Sequence, residues 1–343
     1  MFIKNNNHQV GEHRSISITR IRPATSDEWD FIWRECDYST YYHSREWAEI
    51  WNVYSKGRIR PDPKLVLFSD EKKALLPISS QRDYNGLVKI YISSPPGAYG
   101  GWISTDKLNV AHAFLLADYL TKKNGNLFWQ LNPYDELALK TGVRTTRDLE
   151  TRVLNLAGGF DAVYRGWTKG HKSAVHKASN AGVKIKLASM LGDWLTYYHV
   201  YEESLCRWGE RATSVYGWDF FNEMFWLKSP NSKLWLAVYQ DKIIAGALCL
   251  YAKKHVVYWH GAALAEHFHL RPVNLLMYEA IKNACEQGYS WFDLGCSGGH
   301  EGVEAFKKSF GAEALACPVV STETMAYSFI KKIGGIIIRI LPI

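Results

Sequence analysis

The chain has 343 residues, 47% hydrophobic and 22% charged, an ordinary globular balance that excludes disorder as the main state. At about 100–200 residues per domain, this length predicts two domains. Lys and Arg total 41 against 34 Asp and Glu, a formal charge of +7; this mild excess favours an anionic ligand, although surplus lysines mostly dress solvated surface.

From the N-terminus, residues 15–22 alternate and predict a strand. Ser26, ahead of Asp27 and Glu28, predicts a helix through Cys36. Residues 44–55 predict a second helix, capped by Ser44, with Trp47, Ile50, Trp51 and Tyr54 on one face. Strands are expected at 64–69, 73–80 and 87–92. Ser93 to Gly101 reads as a turn-rich loop. A helix over 107–123 and a strand over 127–131 complete the first half.

The same order then recurs. A strand is expected at 152–156, a Lys- and His-rich helix at 161–180 and a strand at 183–188. Helices over 193–208 and 217–227 precede strands at 233–240, 242–252 and 255–264. Gln240-Asp241 and Lys253-Lys254 predict the two hairpin turns between these strands. Pro272 suits the first position of a helix reaching about Gln287. A strand over 290–295, a helix over 302–310 and a strand over 314–321 follow. The polar run Thr145-Thr146-Arg147-Asp148 places a domain boundary near residue 150, giving domains 1–150 and 151–343.

The chain carries 14 Trp and 20 Tyr, enough for clefts lined by rings with polar tips as well as for core. Cys36, Cys206, Cys249, Cys285, Cys296 and Cys317 form no CxxC pair and no metal-ligand spacing. They read as reduced thiols of a cytoplasmic protein, with no metal expected. The polar N-terminus reads as lacking a signal peptide, and no window holds 18 apolar residues. The tail Ile330–Ile343 is apolar with three basic residues. It reads as a terminal element packed on the body, with peripheral contact at the inner membrane face as the alternative.

No G-x-S-x-G, HExxH or Walker loop is present. Gly295-Cys296-Ser297-Gly298-Gly299-His300 reads as a strand-to-helix loop rather than a nucleophile site.

The second half has the element order of a Gcn5-related N-acyltransferase. In that fold two neighbouring strands part, and the acyl donor enters the gap. Coenzyme-A enzymes of the superfamily carry a glycine loop before the helix that follows the strand meander. Here the equivalent is His267-Phe268-His269-Leu270-Arg271-Pro272. Leu270 and Pro272 replace both glycines, so the amide cradle for a pyrophosphate is degraded. His267, His269 and Arg271 remain as side-chain donors, with Asn274 one turn on.

Further motifs resemble the Fem-type acyltransferases. Phe292-Asp293-Leu294-Gly295 followed by Gly302 to Gly311 (GVEAFKKSFG) is similar to the family's closing signature. Arg271 to Glu279 (RPVNLLMYE), Tyr201 through Arg207-Trp208-Gly209, Tyr42 to Trp47, Ser93-Ser94-Pro95 and Tyr99-Gly100-Gly101 are similar to earlier ones. The resemblance spans residues 15–320. It implies an α/β (α+β) fold of two tandem Gcn5-related N-acyltransferase-like domains, each a mixed, mostly antiparallel sheet flanked by helices. The first domain is expected to be a degenerate copy, and the second to hold the donor. The family's studied members move amino acids from aminoacyl-tRNA to an amine on a cell-wall precursor. This chain lacks the coiled-coil arm of the larger members.

The resemblance implies that Lys307 lies near the transferring acyl group and stabilises the oxyanion. Asp293 is expected to orient Lys307 or to accept the amine proton. Arg207, Trp208 and Glu210 are candidates for an acceptor carboxylate or diphosphate. Tyr258 and His260, two apart on a strand, are expected to share one face toward the donor. Arg165, Lys169, Lys172 and His176, with Lys177 beside them, form a basic helical stripe suited to tRNA or diphosphate.

The expected activity is N-acyl transfer from acyl-CoA or aminoacyl-tRNA, as co-substrate rather than bound cofactor. The acceptor is a small-molecule or lipid-linked amine on a cell-wall or polysaccharide precursor. A non-catalytic saccharide- or precursor-binding protein on the same fold and a tRNA-binding module are the alternatives.

Overall fold

A computed structural model describes residues 15–334, apart from 84, 85, 87, 124, 213, 214, 299 and 300. The first half runs β1 (Ile18–Pro23), α1 (Ser26–Glu35), α2 (Arg45–Tyr54), β2 (Ile59–Pro61), β3 (Lys64–Phe68), β4 (Lys73–Leu76), β5 (Ser79–Asp83), β6 (Val88–Ile92), β7 (Tyr99–Gly100), α3 (Val110–Asp118), β8 (Leu127–Leu131) and α4 (Glu136–Lys140). The second runs β9 (Glu150–Asn155), α5 (Gly159–Arg165), α6 (Lys169–Asn180), β10 (Lys184–Leu187), α7 (Leu191–Trp208), α8 (Trp218–Trp226), β11 (Ser232–Tyr239), β12 (Lys242–Tyr251) and β13 (His255–Ala263). It ends with α9 (Pro272–Glu286), β14 (Trp291–Cys296), α10 (Glu301–Lys308), β15 (Glu313–Ala316), β16 (Val319–Thr322) and α11 (Met325–Gly334).

Among the described residues the strands form three sheets: β1-β3-β4, a sheet ordered β16-β8-β6-β5-β2 with β7 also on β8, and β10-β11-β12-β13-β14-β9-β15. Most pairings are antiparallel; β6–β8, β7–β8 and β13–β14 are parallel. The expected strand over 73–80 divides at Pro77-Ile78, so β4 and β5 join different sheets. The expected strand over 314–321 divides at Cys317-Pro318. β15 pairs with β9, and β16 crosses back to pair with β8. Proline lacks the N–H a ladder needs, so a break at each proline follows from chemistry.

Local signals explain the helix starts. Thr25, rather than Ser26, caps α1, with Glu28 completing a reciprocal capping box. Ser44 accepts from the Trp47 amide and opens α2 as expected. The helix expected over 161–180 is two helices. The chain turns at Gly166-Trp167-Thr168, and Thr168 caps the second. Gln240 and Asp241 both adopt positive φ, the geometry of a tight hairpin.

The seven-stranded sheet has a core on each face. One core sets α5, α6, α9 and α10 against Ala245, Ala247, Phe292 and Leu294. The other sets α7 and α8, together with α2 of the first half, against Leu234, Leu248, Val257 and Ala262. Trp47 joins the halves at this second core. Its ring meets Phe220 and Trp259, and its indole donates to the Pro95 carbonyl at 2.6 Å. Truncating such a ring costs about 3–5 kcal/mol. Among the described residues, no helix is long and apolar enough to cross a membrane.

Candidate acyl-transfer site

β13 and β14 pair only at His255–Trp291, Val256–Phe292 and Val257–Asp293. Beyond that, β13 continues against β12 to Ala263, while β14 continues against β9. The two strands part at Tyr258 and Leu294, leaving a gap inside the sheet. Gly295 turns β14 with φ +77°, a conformation that disfavours a side chain. A Cβ there would lie 3.8 Å from both Lys307 Nζ and the Tyr258 carbonyl. Gly295 therefore faces the gap, with Lys307 and β13 as its neighbours.

Lys307 reaches this point from α10 and is 6% exposed. Its Nζ donates to the carbonyls of Gly295 at 2.9 Å and Cys296 at 2.8 Å. An ammonium has three donors, so one is left for a ligand. Burial lowers its pKa, against the opposing pull of Cys296, Asp293 and Glu304. Arg152 pairs with Glu304 beside it, and Ser297 donates to the same carboxylate at 2.5 Å. These contacts hold Glu304 down to about 2.

Asp293 is fully buried and makes no ion pair with Lys307. Its Oδ1 accepts from Thr151 Oγ1 at 2.5 Å and from the Gly295 amide at 2.7 Å. Its Oδ2 accepts from the Tyr134 hydroxyl at 3.0 Å. Burial raises its pKa, against those three donors. The carboxylate thus fixes the Gly295 turn, and the turn holds Lys307. Asp293 acts on Lys307 through the backbone rather than by direct contact. Cys296 lies beyond the turn, its Sγ 3.6 Å from Cys317 Sγ.

Tyr258 and His260 do not share a face. The register of β13 slips by one between Cys249–Tyr258 and Leu248–His260, so Trp259 is an extra residue. Such a bulge reverses the alternation beyond it. Tyr258 packs with the α9 core, over Gly261, where a Cβ would lie 1.8 Å from its hydroxyl. His260 turns to the other face, its Nδ1 hydrogen-bonded to the Tyr197 hydroxyl at 2.7 Å. The rings of Tyr201, Tyr216, Phe221 and Trp259 surround it. Burial lowers its pKa to about 3.

At the start of α9, Arg271 has left-handed backbone and caps the helix ahead of Pro272. The Asn274 amide is bonded back to the Arg271 carbonyl at 3.2 Å. The Asn274 side chain donates to His171 Nδ1 at 2.5 Å. His171 is a residue that sequence reasoning missed; its position three after Thr168 in α6 became meaningful only once the helix was seen to restart there. His267 stands 3.0 Å from the Glu266 carboxylate without hydrogen-bond alignment, and His269 bonds the Glu266 carbonyl. Leu270 and Pro272 stand where the cradle would have glycines, and Pro272 brings no N–H.

The other candidates disperse. The Arg207 guanidinium donates to the Ala263 carbonyl at 3.2 Å and stacks 4.9 Å from the Phe268 ring. Trp208 packs against the second core, and Glu210 is exposed. Arg207 and Glu210 form no ion pair with one another. Arg165 ends α5 and is not on the same helical face as Lys169, Lys172 and His176 of α6. Lys172 Nζ instead donates to the Arg165 carbonyl at 3.0 Å. Lys169, His176 and Lys177 are exposed. Among the described residues no cluster of His, Cys, Asp and Glu is arranged to hold a metal ion. The C-terminal tail beyond residue 334 lies outside the described residues.

A family model described as an acetyltransferase (GNAT) domain matches residues 168–308. No curated protein matches the chain in sequence. Among solved structures, FemX aligns with TM-score 0.71 at 14% identity, covering 91% of this chain and all of that one. A conserved protein of unknown function from Bacteroides thetaiotaomicron aligns with TM-score 0.56 at 12% identity, covering 90% of this chain and all of that one. L-PGS from Bacillus licheniformis aligns with TM-score 0.52 at 11% identity, covering 84% of this chain and 90% of that one. At these identities the likeness is one of fold. The chain has the Gcn5-related N-acyltransferase fold in its Fem-type form. Family model and fold together support an acyltransferase-type function.

Proposed function

We propose that this Fem-type chain is an N-acyltransferase whose acyl donor lies in the gap between β13 and β14. A neutral amine attacks the activated carbonyl directly, and no covalent enzyme intermediate forms. The observation that carries the reading is the buried Lys307 ammonium at the edge of that gap, held by two carbonyls with a third donor to spare. Charge develops on the carbonyl oxygen as the amine adds, and an ammonium in a dry site stabilises it strongly.

Asp293 and Thr151 hold the Gly295 turn rather than moving protons. Both carboxylate oxygens of Asp293 already accept hydrogen bonds, and the group is sealed from water. His260 is a poor general base, because a group at about 3 sits far below the operating pH at which base catalysis is efficient. Its ring, with Trp259 and Tyr216, forms an aromatic wall on the acceptor side of the sheet. As the tetrahedral adduct collapses, its bond to the donor sulfur or ribose oxygen breaks, and the departing thiolate or alkoxide takes up the proton that the amine gives up.

The donor is an acyl thioester or an aminoacyl ester. Pro272 offers no N–H and the Asn274 amide is engaged, so its phosphates fall to side chains: Arg271, His269 and the Lys169–Lys177 stripe of α6. The acceptor is a small-molecule or lipid-linked amine. Titration with acetyl-CoA and, in parallel, bulk aminoacyl-tRNA separates the donors. With the donor that is turned over, Lys307→Met is expected to lower kcat by about 10²–10³-fold while the protein stays folded. A fully active Lys307→Met protein would remove the catalytic assignment.

A further inference from the structure

We infer that Tyr134, from the first half of the chain, is a positioning residue for the acyl-transfer gap of the second half. The inference rests on the reading of Lys307 given above. It comes from a continuous hydrogen-bonded path that crosses between the halves. Tyr134 follows β8 and precedes α4, and its hydroxyl donates to Asp293 Oδ2 at 3.0 Å. Asp293 Oδ1 accepts the Gly295 amide at 2.7 Å, and the Gly295 carbonyl accepts Lys307 at 2.9 Å. The phenol ring is itself fixed, with its centroid 4.0 Å from that of His255 and 5.8 Å from that of Trp291.

The physical need is specific. A carboxylate buried to 0% exposure cannot turn to water for a missing donor. Tyr42 and Tyr99 of the first half, Cys296, Cys317 and Lys307 also face this carboxylate. Lys307 is the cation among them, and it acts across space. Of the phenols, Tyr134 is the one hydrogen-bonded to Asp293. Losing that hydroxyl leaves Oδ2 with no donor, so the carboxyl protonates more readily and grips the Gly295 turn less firmly. Lys307 then loses its fixed carbonyl partners. By this account the first half does more than close the fold. It completes the support of the acyl-transfer lysine.

The test needs no substrate. In protein labelled with ¹³C at aspartate carboxyls and ¹⁵N at lysine amines, Asp293→Asn and Lys307→Met identify the two signals. Tyr134→Phe keeps the ring packing and removes only the hydroxyl. The Asp293 midpoint is expected to rise by at least about half a pH unit, and the Lys307 signal to shift. Placing 3-fluorotyrosine at position 134, a stronger donor of nearly the same shape, is expected to move the midpoint down. Unchanged Asp293 and Lys307 signals in Tyr134→Phe would overturn the inference.

Turnover gives an independent readout. Tyr134→Phe is expected to lower kcat about tenfold with KM held, and to move the acid limb of the profile to higher pH. A merely structural tyrosine would lower thermal stability and leave that limb in place. Full activity in Lys307→Met would sink the lysine assignment but leave the shifted Asp293 titration standing, so the two failures are distinguishable.

Discussion

In the first half, β6 and β8 pair in parallel at Tyr91–Leu127 and Ile92–Phe128, and β7 then takes the next place on β8, at Tyr99–Gln130 and Gly100–Leu131. In the second half, β13 and β14 pair in parallel at three positions and part, and β13 runs on with β12. One backbone plan thus meets two fates. After β6 the chain loops back and fills the space beside β8 with its own strand. After Val257 the chain stays with its other neighbour, and the space beside β14 remains for something else. On the proposed reading, the donor site is made by where the chain goes after the diverging strand.

Substitutions at two glycines break the comparison in opposite ways. Gly261→Val puts a side chain where the Tyr258 hydroxyl sits, 1.8 Å from the Cβ position. The two cannot share that space, so the Tyr258 ring is expected to leave its place over Gly261, and circular dichroism separates this shift from loss of the fold. Donor affinity is expected to fall more than tenfold, measured by calorimetric titration with whichever donor binds. Gly100→Ala acts on the filled gap. Its Cβ would lie 2.3–2.6 Å from Ser93 side-chain and backbone atoms. Overpacking of this kind costs about 1–3 kcal/mol, read by urea unfolding, with donor affinity unchanged.

The next effect spans both halves. Burial lowers His43 to about 3, His255 to about 4 and His260 to about 3. A base lowered in the fold binds protons more readily when unfolded. Its contribution to stability is therefore present above the unfolded value of about 6.5 and is lost as pH falls toward the folded value. Asp135, raised to about 6 by burial, opposes this; its contribution is full below the unfolded carboxylate value and is lost as pH rises through 6. Asp293, also raised by burial, opposes it in the same sense; three histidines still outweigh two carboxyls, so unfolding free energy is expected to drop between pH 6.5 and 4. His260→Gln should flatten that slope by up to one proton; an unchanged slope would mean that His260 is not held neutral.

The smallest effect belongs to α6. Lys169→Ala and Lys177→Ala lie on exposed helix surface, so stability is expected to change by less than about 0.5 kcal/mol. If the donor is aminoacyl-tRNA, the double variant loses affinity and its log Kd depends less steeply on log salt. If the donor is acyl-CoA, that variant shows no change toward tRNA because none binds.

Much of this was legible beforehand. The meander, the Pro272 helix and the Phe292–Gly311 motif fall where hairpin chemistry, proline at a first helical turn and the Fem-type resemblance put them. What escaped were events with no period of their own. A single extra residue at Trp259 put Tyr258 and His260 on opposite faces, and strand alternation cannot reveal a bulge. Gly166-Trp167-Thr168 broke a helix that continuous basic spacing seemed to carry through. The partners of Asp293, Thr151 and Tyr134, lie more than a hundred positions away, beyond any local pattern. β7 escaped for the same reason, since a two-residue strand is defined only by the neighbour it meets.

The most direct test of an open second gap and a filled first one is hydrogen–deuterium exchange, with and without saturating acetyl-CoA or aminoacyl-tRNA. The account predicts that the donor that binds slows exchange in residues 258–263 and 294–297, and leaves residues 88–101 as they were. Donor-induced protection centred on residues 88–101, with none along β13 and β14, would contradict it.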